Sequence, residues 1–227
     1  MTTDLKKMTK KYVIFDLDGT LIDTIPDLLF LLNGLLSQMN RPLLKKEDMK
    51  YLIGHGSHYL IEQMCKRTGA QFSEEEIKDV FNRWIKIYSD SPMDLTRPFD
   101  GVPETLQRLK DAGCKLSLCT NKPPAPTKYI LDKLDLRKYF DVVLDADSLP
   151  IRKPNPEPLW EAVKRMGGDI SDALMVGDSE PDLQAANAAN IPVVLMSYGY
   201  AQTPYEDLKA MGVLPSFDKL ADIVLAP

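Results

Sequence analysis

Two carboxylates, a glycine and a hydroxyl follow directly on a short apolar run in Tyr12-Val13-Ile14-Phe15-Asp16-Leu17-Asp18-Gly19-Thr20. Consecutive apolar residues of this kind read as a strand buried on both faces. Asp16 then falls at the strand's carboxyl end, the edge where open α/β sheets bind ligands. Asp16 and Asp18 are two apart, so on a continuing strand their side chains share a face. Carboxylates that close repel one another, and such a site either holds a cation or keeps one of the pair protonated. Either outcome suits chemistry on an anion such as a phosphate ester. Gly19 permits close backbone approach, and Thr20 adds a hydroxyl. The plainer reading is a strand ending in a solvated acidic turn.

Three further segments place similar groups at strand ends. Lys115 to Cys119 reads as a strand and leads to Thr120-Asn121-Lys122. Phe140 to Leu144 reads as another and leads through a loop to Arg152-Lys153-Pro154-Asn155-Pro156. Ala173 to Val176 leads to Gly177-Asp178-Ser179-Glu180-Pro181-Asp182. Taken singly, each has an ordinary explanation: a helix-entry turn, a solvated lysine, acids that favour a helix dipole. Together they deliver carboxylates, a hydroxyl and a lysine to one sheet edge. Asp178 and Asp182, four apart, share a face of a helix's first turn. With Asp16 they supply hard oxygen ligands suited to Mg²⁺. The chain carries no dinucleotide-binding glycine fingerprint and no phosphate-loop motif, which counts against dinucleotide or ATP use.

The elements that must position these groups fall into two kinds. After Thr20, Thr24 is placed to cap a helix, with Pro26 in its first turn and Asp27 at its positive end. Ile25, Leu28, Leu29, Leu32, Leu35, Leu36 and Met39 follow at helical spacing. A short helix is expected over Glu47 to Ile53, then the loop Gly54-His55-Gly56, then a helix capped by Ser57. Ser73 and Glu76 form a capping box ahead of the stripe Ile77, Val80, Phe81, Trp84, Ile85, Tyr88. Residues 25–95 are thus expected to be helical, with hinges at Thr24-Ile25-Pro26 and Ser91 to Pro98. From Phe99 on, strands alternate with helices, ending in short strands at Pro192 to Met196 and Asp222 to Leu225. That alternation implies right-handed crossovers and a mainly parallel sheet.

A chain of 227 residues with a net charge of −5 gives no electrostatic argument for nucleic acid or an anionic membrane as partner. No apolar run approaches the roughly 20 residues that span a bilayer. Met1 to Lys11 carries lysines but no signal-type apolar segment, and reads as a short frayed lead-in. Cys65, Cys114 and Cys119 are odd in number and lack metal-ligand spacing, so they read as reduced thiols of a cytoplasmic protein.

The order Asp16-x-Asp18-x-Thr20, Thr120, Lys153-Pro154 and Gly177-Asp178-x-x-x-Asp182 resembles the haloacid dehalogenase-like phosphatase superfamily. The resemblance implies a Rossmann-like α/β core over residues 1–24 and 96–227, with a helical cap domain inserted over 25–95. It implies that Asp16 attacks phosphorus to form an aspartyl-phosphate, and that Asp18 serves as acid and then base. It implies Mg²⁺ held by Asp16, Asp18 (through its carbonyl), Asp178 and Asp182, with Asp182 orienting Lys153 or a metal-bound water. Thr120 and Lys153 would hold phosphoryl oxygens, helped by Thr20, Asn121 and backbone amides from Leu17 to Gly19. The aspartate two residues after the nucleophile is absent from dehalogenases, so dehalogenation is disfavoured.

Gly54-His55-Gly56-Ser57, Phe15 to Asp27, Pro98 to Val102 and Arg152 to Leu159 are similar to the phosphoglycolate phosphatases. That likeness implies a small phosphorylated acid or sugar as substrate, 2-phosphoglycolate above others, with His55, His58 and Arg152 as candidate contacts to a carboxylate. One departure is Asn190, where a glycine is expected; asparagine tolerates the left-handed conformation that ends a helix. A sugar phosphomutase, a pyrophosphatase or nucleotidase of the same superfamily, and a non-catalytic phosphate-binding regulator are the alternatives. A monomer and a homodimer are both compatible with the apolar stripe around Trp84.

Overall fold

The computed structural model describes residues 10–69 and 72–225. Most of the lead-in expected over 1–11 therefore lies outside the described residues. The chain runs β1 (Tyr12–Phe15), β2 (Ile22–Asp23), α1 (Ile25–Gln38), α2 (Ser57–Arg67), α3 (Glu74–Asp90), β3 (Arg97–Pro98), α4 (Val102–Asp111) and β4 (Lys115–Cys119). It continues α5 (Pro124–Lys133), β5 (Val142–Leu144), α6 (Glu157–Arg165), β6 (Ala173–Gly177), α7 (Glu180–Ala188), β7 (Val193–Met196), β8 (Gly212–Leu214) and α8 (Leu220–Val224).

Six strands form one parallel sheet in the order β5-β4-β1-β6-β7-β8. Strand β1 lies between β4 and β6, in register Phe15 with Leu118 and Val176. The chain builds outward from β1 to β4 and β5, then returns to β6. Its strand order therefore reverses beside β1, and a crevice opens at the carboxyl ends there. The side-chain alternation of β1 sorts the core into two layers. Val13 and Phe15 join the cluster that includes Leu106, Leu174 and Phe217. Ile14 faces the other cluster, with Leu159, Val163 and Met175 under α6 and α7.

The helical insertion is tied at its root. β2 and β3 pair antiparallel, Ile22 with Pro98 and Asp23 with Arg97, where the chain leaves and re-enters the sheet layer. Asp27, buried in the first turn of α1, accepts the N–H of Leu95 (3.0 Å) and both the N–H and hydroxyl of Thr96 (2.6 Å each). Its carboxylate thus joins the two ends of the insertion as well as favouring the helix dipole.

Several local expectations need correction. Thr24 makes no side-chain capping bond; its hydroxyl is buried without a partner among the described residues, and Asp23 Oδ1 accepts the Ile25 N–H instead (3.1 Å). Gly56, not Ser57, precedes the first turn of α2. Lys46–Tyr51 is a 3₁₀ helix, where a short helix over Glu47 to Ile53 was expected. The strand expected at Asp222 to Leu225 is the helix α8, and the sixth strand is β8. The β-branched pair Ile223-Val224 suggested a strand, but Leu220, Ala221 and Val224 fall at helical spacing and are fully buried. The Ser73–Glu76 capping box forms, and Asn190 takes a left-handed φ of 56°.

Asp27→Ala strands three donors between the two ends of the insertion, two of them on buried Thr96. Charge-assisted bonds of this kind place the expected loss of unfolding free energy at about 2–4 kcal/mol, to be read from urea denaturation.

Candidate active site

Each reactive side chain stands where a parallel strand runs out. Asp16 follows β1 and anchors its own N–H to the Val176 carbonyl (3.0 Å). Thr120 to Lys122 follow β4, and Asp178 follows β6 with Asp182 in the first turn of α7. Lys153 comes from the loop after β5 and reaches across to Asp16 Oδ1 (2.8 Å) and Asp182 Oδ1 (2.7 Å). Its side chain is 1% exposed. The other oxygen of Asp182 accepts the N–H groups of Asp178 (3.1 Å) and Ser179 (3.3 Å). Asp178 accepts the Thr20 hydroxyl (3.1 Å) and the Tyr200 N–H (2.6 Å). Asp16 Oδ2 takes no hydrogen bond from any described residue, which leaves it available for chemistry.

Gly19 explains itself here. Its φ is +86°, and a Cβ at that position would overlap the Asp178 carboxylate and lie 2.8 Å from the Tyr200 ring.

The electrostatics follow from burial. Loss of solvent pushes the Asp16 carboxyl up to about 7; Lys153 opposes the shift, while Asp182 and, last, Asp18 add to it. Burial holds Asp178 well above the ordinary carboxylate range too, with Asp182 and Asp16 adding to it, against the bonds from Tyr200 and Thr20. Burial works to strip Lys153 of its proton, but Asp16 and Asp182 outweigh it and raise its pKa. Asp16, Asp178 and Asp182 bring carboxylate oxygens within 4.8 Å of one another. Lys153 supplies one positive charge to the three. A hard divalent cation fits this donor set and removes the remaining excess of negative charge.

Asp18 departs from the expectation of a shared carboxylate pair. Strand β1 ends at Phe15 and the chain turns, so Asp18 does not continue along Asp16's face. Its carboxylate is not in the acidic cluster; it pairs with Lys122 Nζ at 2.8 and 3.1 Å. Each aspartate therefore has its own buried lysine. Burial disfavours the charge on Lys122, and Asp18 with Tyr88 overrides that to raise its pKa. The expectation drawn from the residues assigned Lys122 no role. A lysine two residues beyond Thr120, in the same strand-end loop, was the available signal.

Asp16, Asp18, Thr120, Asn121 and Lys122 line a cavity of about 40 Å³, roofed by Leu28, Leu52, Ile53, Leu60 and Tyr88 from the helical insertion. Gly54, Gly56 and Ser57 complete the roof. Thr120 Oγ1 accepts the Lys122 N–H (3.2 Å). The Asn121 amide donates to the carbonyls of Gly54 (2.9 Å) and Lys153 (2.8 Å), so it fastens the glycine loop to the core and has no donor spare.

Other candidates are not among the residues lining the cavity, though Arg152 Nη1 stands beside Gly56. His55 packs on Tyr59 with ring centroids 4.5 Å apart, and burial lowers its pKa. His58 faces Glu62 (3.3 Å) and Phe81. Arg152 binds the Ala146 carbonyl (2.9 Å) and Asp147 (3.3 Å). Cys119 is fully buried and its thiol is pushed up to about 12, so it is no thiolate nucleophile.

Comparison with known proteins gives a consistent picture. The model of the family described as haloacid dehalogenase-like hydrolase matches residues 13–196. A protein of Caulobacter vibrioides named phosphoglycolate phosphatase is 40% identical over 205 residues, covering 90% of this chain and 86% of its own. A protein of Mesorhizobium japonicum with the same name is 35% identical, covering 94% of each. Among solved structures, a predicted phosphoglycolate phosphatase from Haemophilus somnus superposes with a TM-score of 0.88 at 31% identity, covering 94% of this chain and 97% of its own.

The cluster predicts a pH-dependent stability that a divalent ion reverses. Because the folded-state pKa of Asp16 is raised, from 3.8 to about 7, the folded state holds the proton more tightly than the unfolded chain. The site's contribution is greatest below pH 4 and is lost as pH rises through 7. Thermal melts of metal-free protein are expected to show this loss, and added Mg²⁺ to raise the melting temperature more at pH 8 than at pH 5. An equal Mg²⁺ shift at both pH values would contradict it.

Proposed function

The chain belongs to the haloacid dehalogenase-like hydrolase family, and from that premise we propose that it is a Mg²⁺-dependent phosphatase acting on a small phosphomonoester, 2-phosphoglycolate first. The observation that carries this reading is the state of Asp16. One carboxylate oxygen is fixed by buried Lys153, while the other takes no hydrogen bond from any described residue at the sheet edge beside the cavity.

In the proposed reaction Asp16 Oδ2 attacks phosphorus in line, the ester P–O bond breaks, and an acyl phosphate forms on Asp16. Asp18, protonated at that moment, passes its proton to the departing alcohol oxygen. Water then attacks the acyl phosphate, Asp18 takes a proton from it, and phosphate and the Asp16 carboxylate are regenerated. Lys153 stabilises phosphoryl oxygen charge and orients Asp16; Asp182 orients Lys153 through its 2.7 Å bond. Thr120 and the amides from Leu17 to Gly19 supply further donors. Asp16 and Asp178, with the Asp18 carbonyl, would hold the Mg²⁺, which when bound neutralises charge between anionic nucleophile and anionic ester.

The cavity favours small substrates. Its volume of about 40 Å³ lies far below the several hundred Å³ typical of sites for drug-sized ligands. The relatives' names support a two-carbon acid. We assign residues 25–95 as the cap and 1–24 with 96–227 as the catalytic core. A cytoplasmic location is supported by three cysteines that are free and buried; among the described residues no helix is long and apolar enough to cross a membrane.

The test is phosphate release from 2-phosphoglycolate, sugar phosphates, nucleotides and pyrophosphate, with and without Mg²⁺. Release is expected to be fastest from 2-phosphoglycolate and to require the metal. Asp16→Asn is expected to lose at least about 10³-fold in kcat, the scale seen when a nucleophile is removed. Full activity in Asp16→Asn would refute the mechanism, and a preference for nucleotides would refute the substrate.

A further inference from the structure

We infer that Lys122, together with Ser57 at the start of α2, forms a carboxylate-recognising subsite that selects the leaving group. The inference rests on the phosphatase reading for which end of the substrate reacts. Lys122 is the one basic side chain among the residues lining the cavity. Its side chain is 1% exposed, so its charge is barely screened by solvent. An ammonium has three donors. Both oxygens of the Asp18 carboxylate accept from it and the Tyr88 side chain is its other polar neighbour, so a second anion meets it from the cavity side by sharing these donors. The ring of Tyr88, 5.1 Å from the ammonium, walls it from the insertion side.

The first turn of α2 brings complementary donors from the roof. Gly56 has no side chain to cap the helix, so the first N–H groups lack intrahelical partners. Ser57 lines the same cavity, is 8% exposed, and its hydroxyl makes no hydrogen bond to another described residue. Ammonium, hydroxyl and helix start therefore converge on a space whose roof is leucine and isoleucine and whose floor carries Asp16, Asp18 and Thr120. That space suits a flat, singly charged group attached one carbon from the ester oxygen. A second phosphate is larger and would need to shed more water against the apolar wall. His55, His58 and Arg152, the cations expected to meet a carboxylate, are not among the residues lining this cavity.

The experiment measures binding, so it does not depend on turnover. Calorimetric titration in Mg²⁺ compares 3-phosphonopropionate, which carries the carboxylate, with propylphosphonate, which carries a methyl in its place. Wild type is expected to bind the carboxylate probe about 30- to 100-fold more tightly, the scale of a desolvated charge contact. Lys122→Met is expected to abolish the preference for the carboxylate probe or reverse it, as that probe then meets Asp18 without its lysine. Ser57→Ala, a milder change, is expected to reduce the ratio about threefold, one neutral hydrogen bond. It carries the test if the melt of Lys122→Met shows that variant unfolded. No discrimination in wild type overturns the inference, as does full discrimination in Lys122→Met or an unchanged ratio in Ser57→Ala. Tighter binding of methylenebisphosphonate than of the carboxylate probe also overturns it, in favour of a second phosphate. Discrimination without phosphate release from any ester would refute the phosphatase reading and leave the subsite standing.

Discussion

The arrangement that the rest of the structure serves is a buried lysine held between two buried aspartates. Lys153 bonds Asp16 and Asp182 at 2.8 and 2.7 Å, with side chains 1%, 8% and 2% exposed. Taking such charges out of water costs several kcal/mol per ion. That cost is sustained only where geometry and further hydrogen bonds are good. The protein meets it with backbone N–H groups at Asp182, a hydroxyl and an N–H at Asp178, and a glycine at position 19 that lets Asp178 close in. The parallel sheet makes this possible. Three separate strand ends and one loop converge beside β1 because the strand order reverses there.

The site remains short of positive charge by design of its residues rather than by exposure to solvent. Lys153 balances one of three clustered carboxylates, and the raised pKa values of Asp16 and Asp178 express what is left over. A second lysine, Lys122, takes Asp18 out of that cluster. Separation of the two aspartates gives each a different lysine neighbour. Asp16 keeps one oxygen without a hydrogen bond from any described residue, whereas Asp18 sits on the cavity wall paired with Lys122.

Much of this was legible in the sequence, for physical reasons that can be named. Strand β1 announced itself because a strand covered on both faces must be apolar throughout, and the abrupt change at Asp16 marked the sheet edge. The stripe through Val80, Trp84 and Tyr88 placed α3, and the Ser73–Glu76 pair placed its start. What failed was decided by tertiary contact. Ile223-Val224 looks like strand until its neighbours Leu220 and Ala221 are packed against α4. The links of the Asn121 amide to two carbonyls from distant segments were equally invisible locally. His55 and His58, named as candidate carboxylate contacts from the likeness of their loop, pack on Tyr59 and Phe81, neighbours that no local pattern shows. Asp27 and Tyr200 act over 68 and 22 residues of separation, distances at which no local pattern speaks.

The central claim is that Asp16 itself forms a bond to phosphorus. The most direct measurement is chemical trapping: protein turning over 2-phosphoglycolate in Mg²⁺ is quenched with borohydride, which reduces an acyl phosphate but not a carboxylate, and its peptides are mapped by mass spectrometry. The account predicts homoserine at position 16 and at no other aspartate. Turnover with an unmodified Asp16, or reduction at Asp18, Asp178 or Asp182, would contradict it.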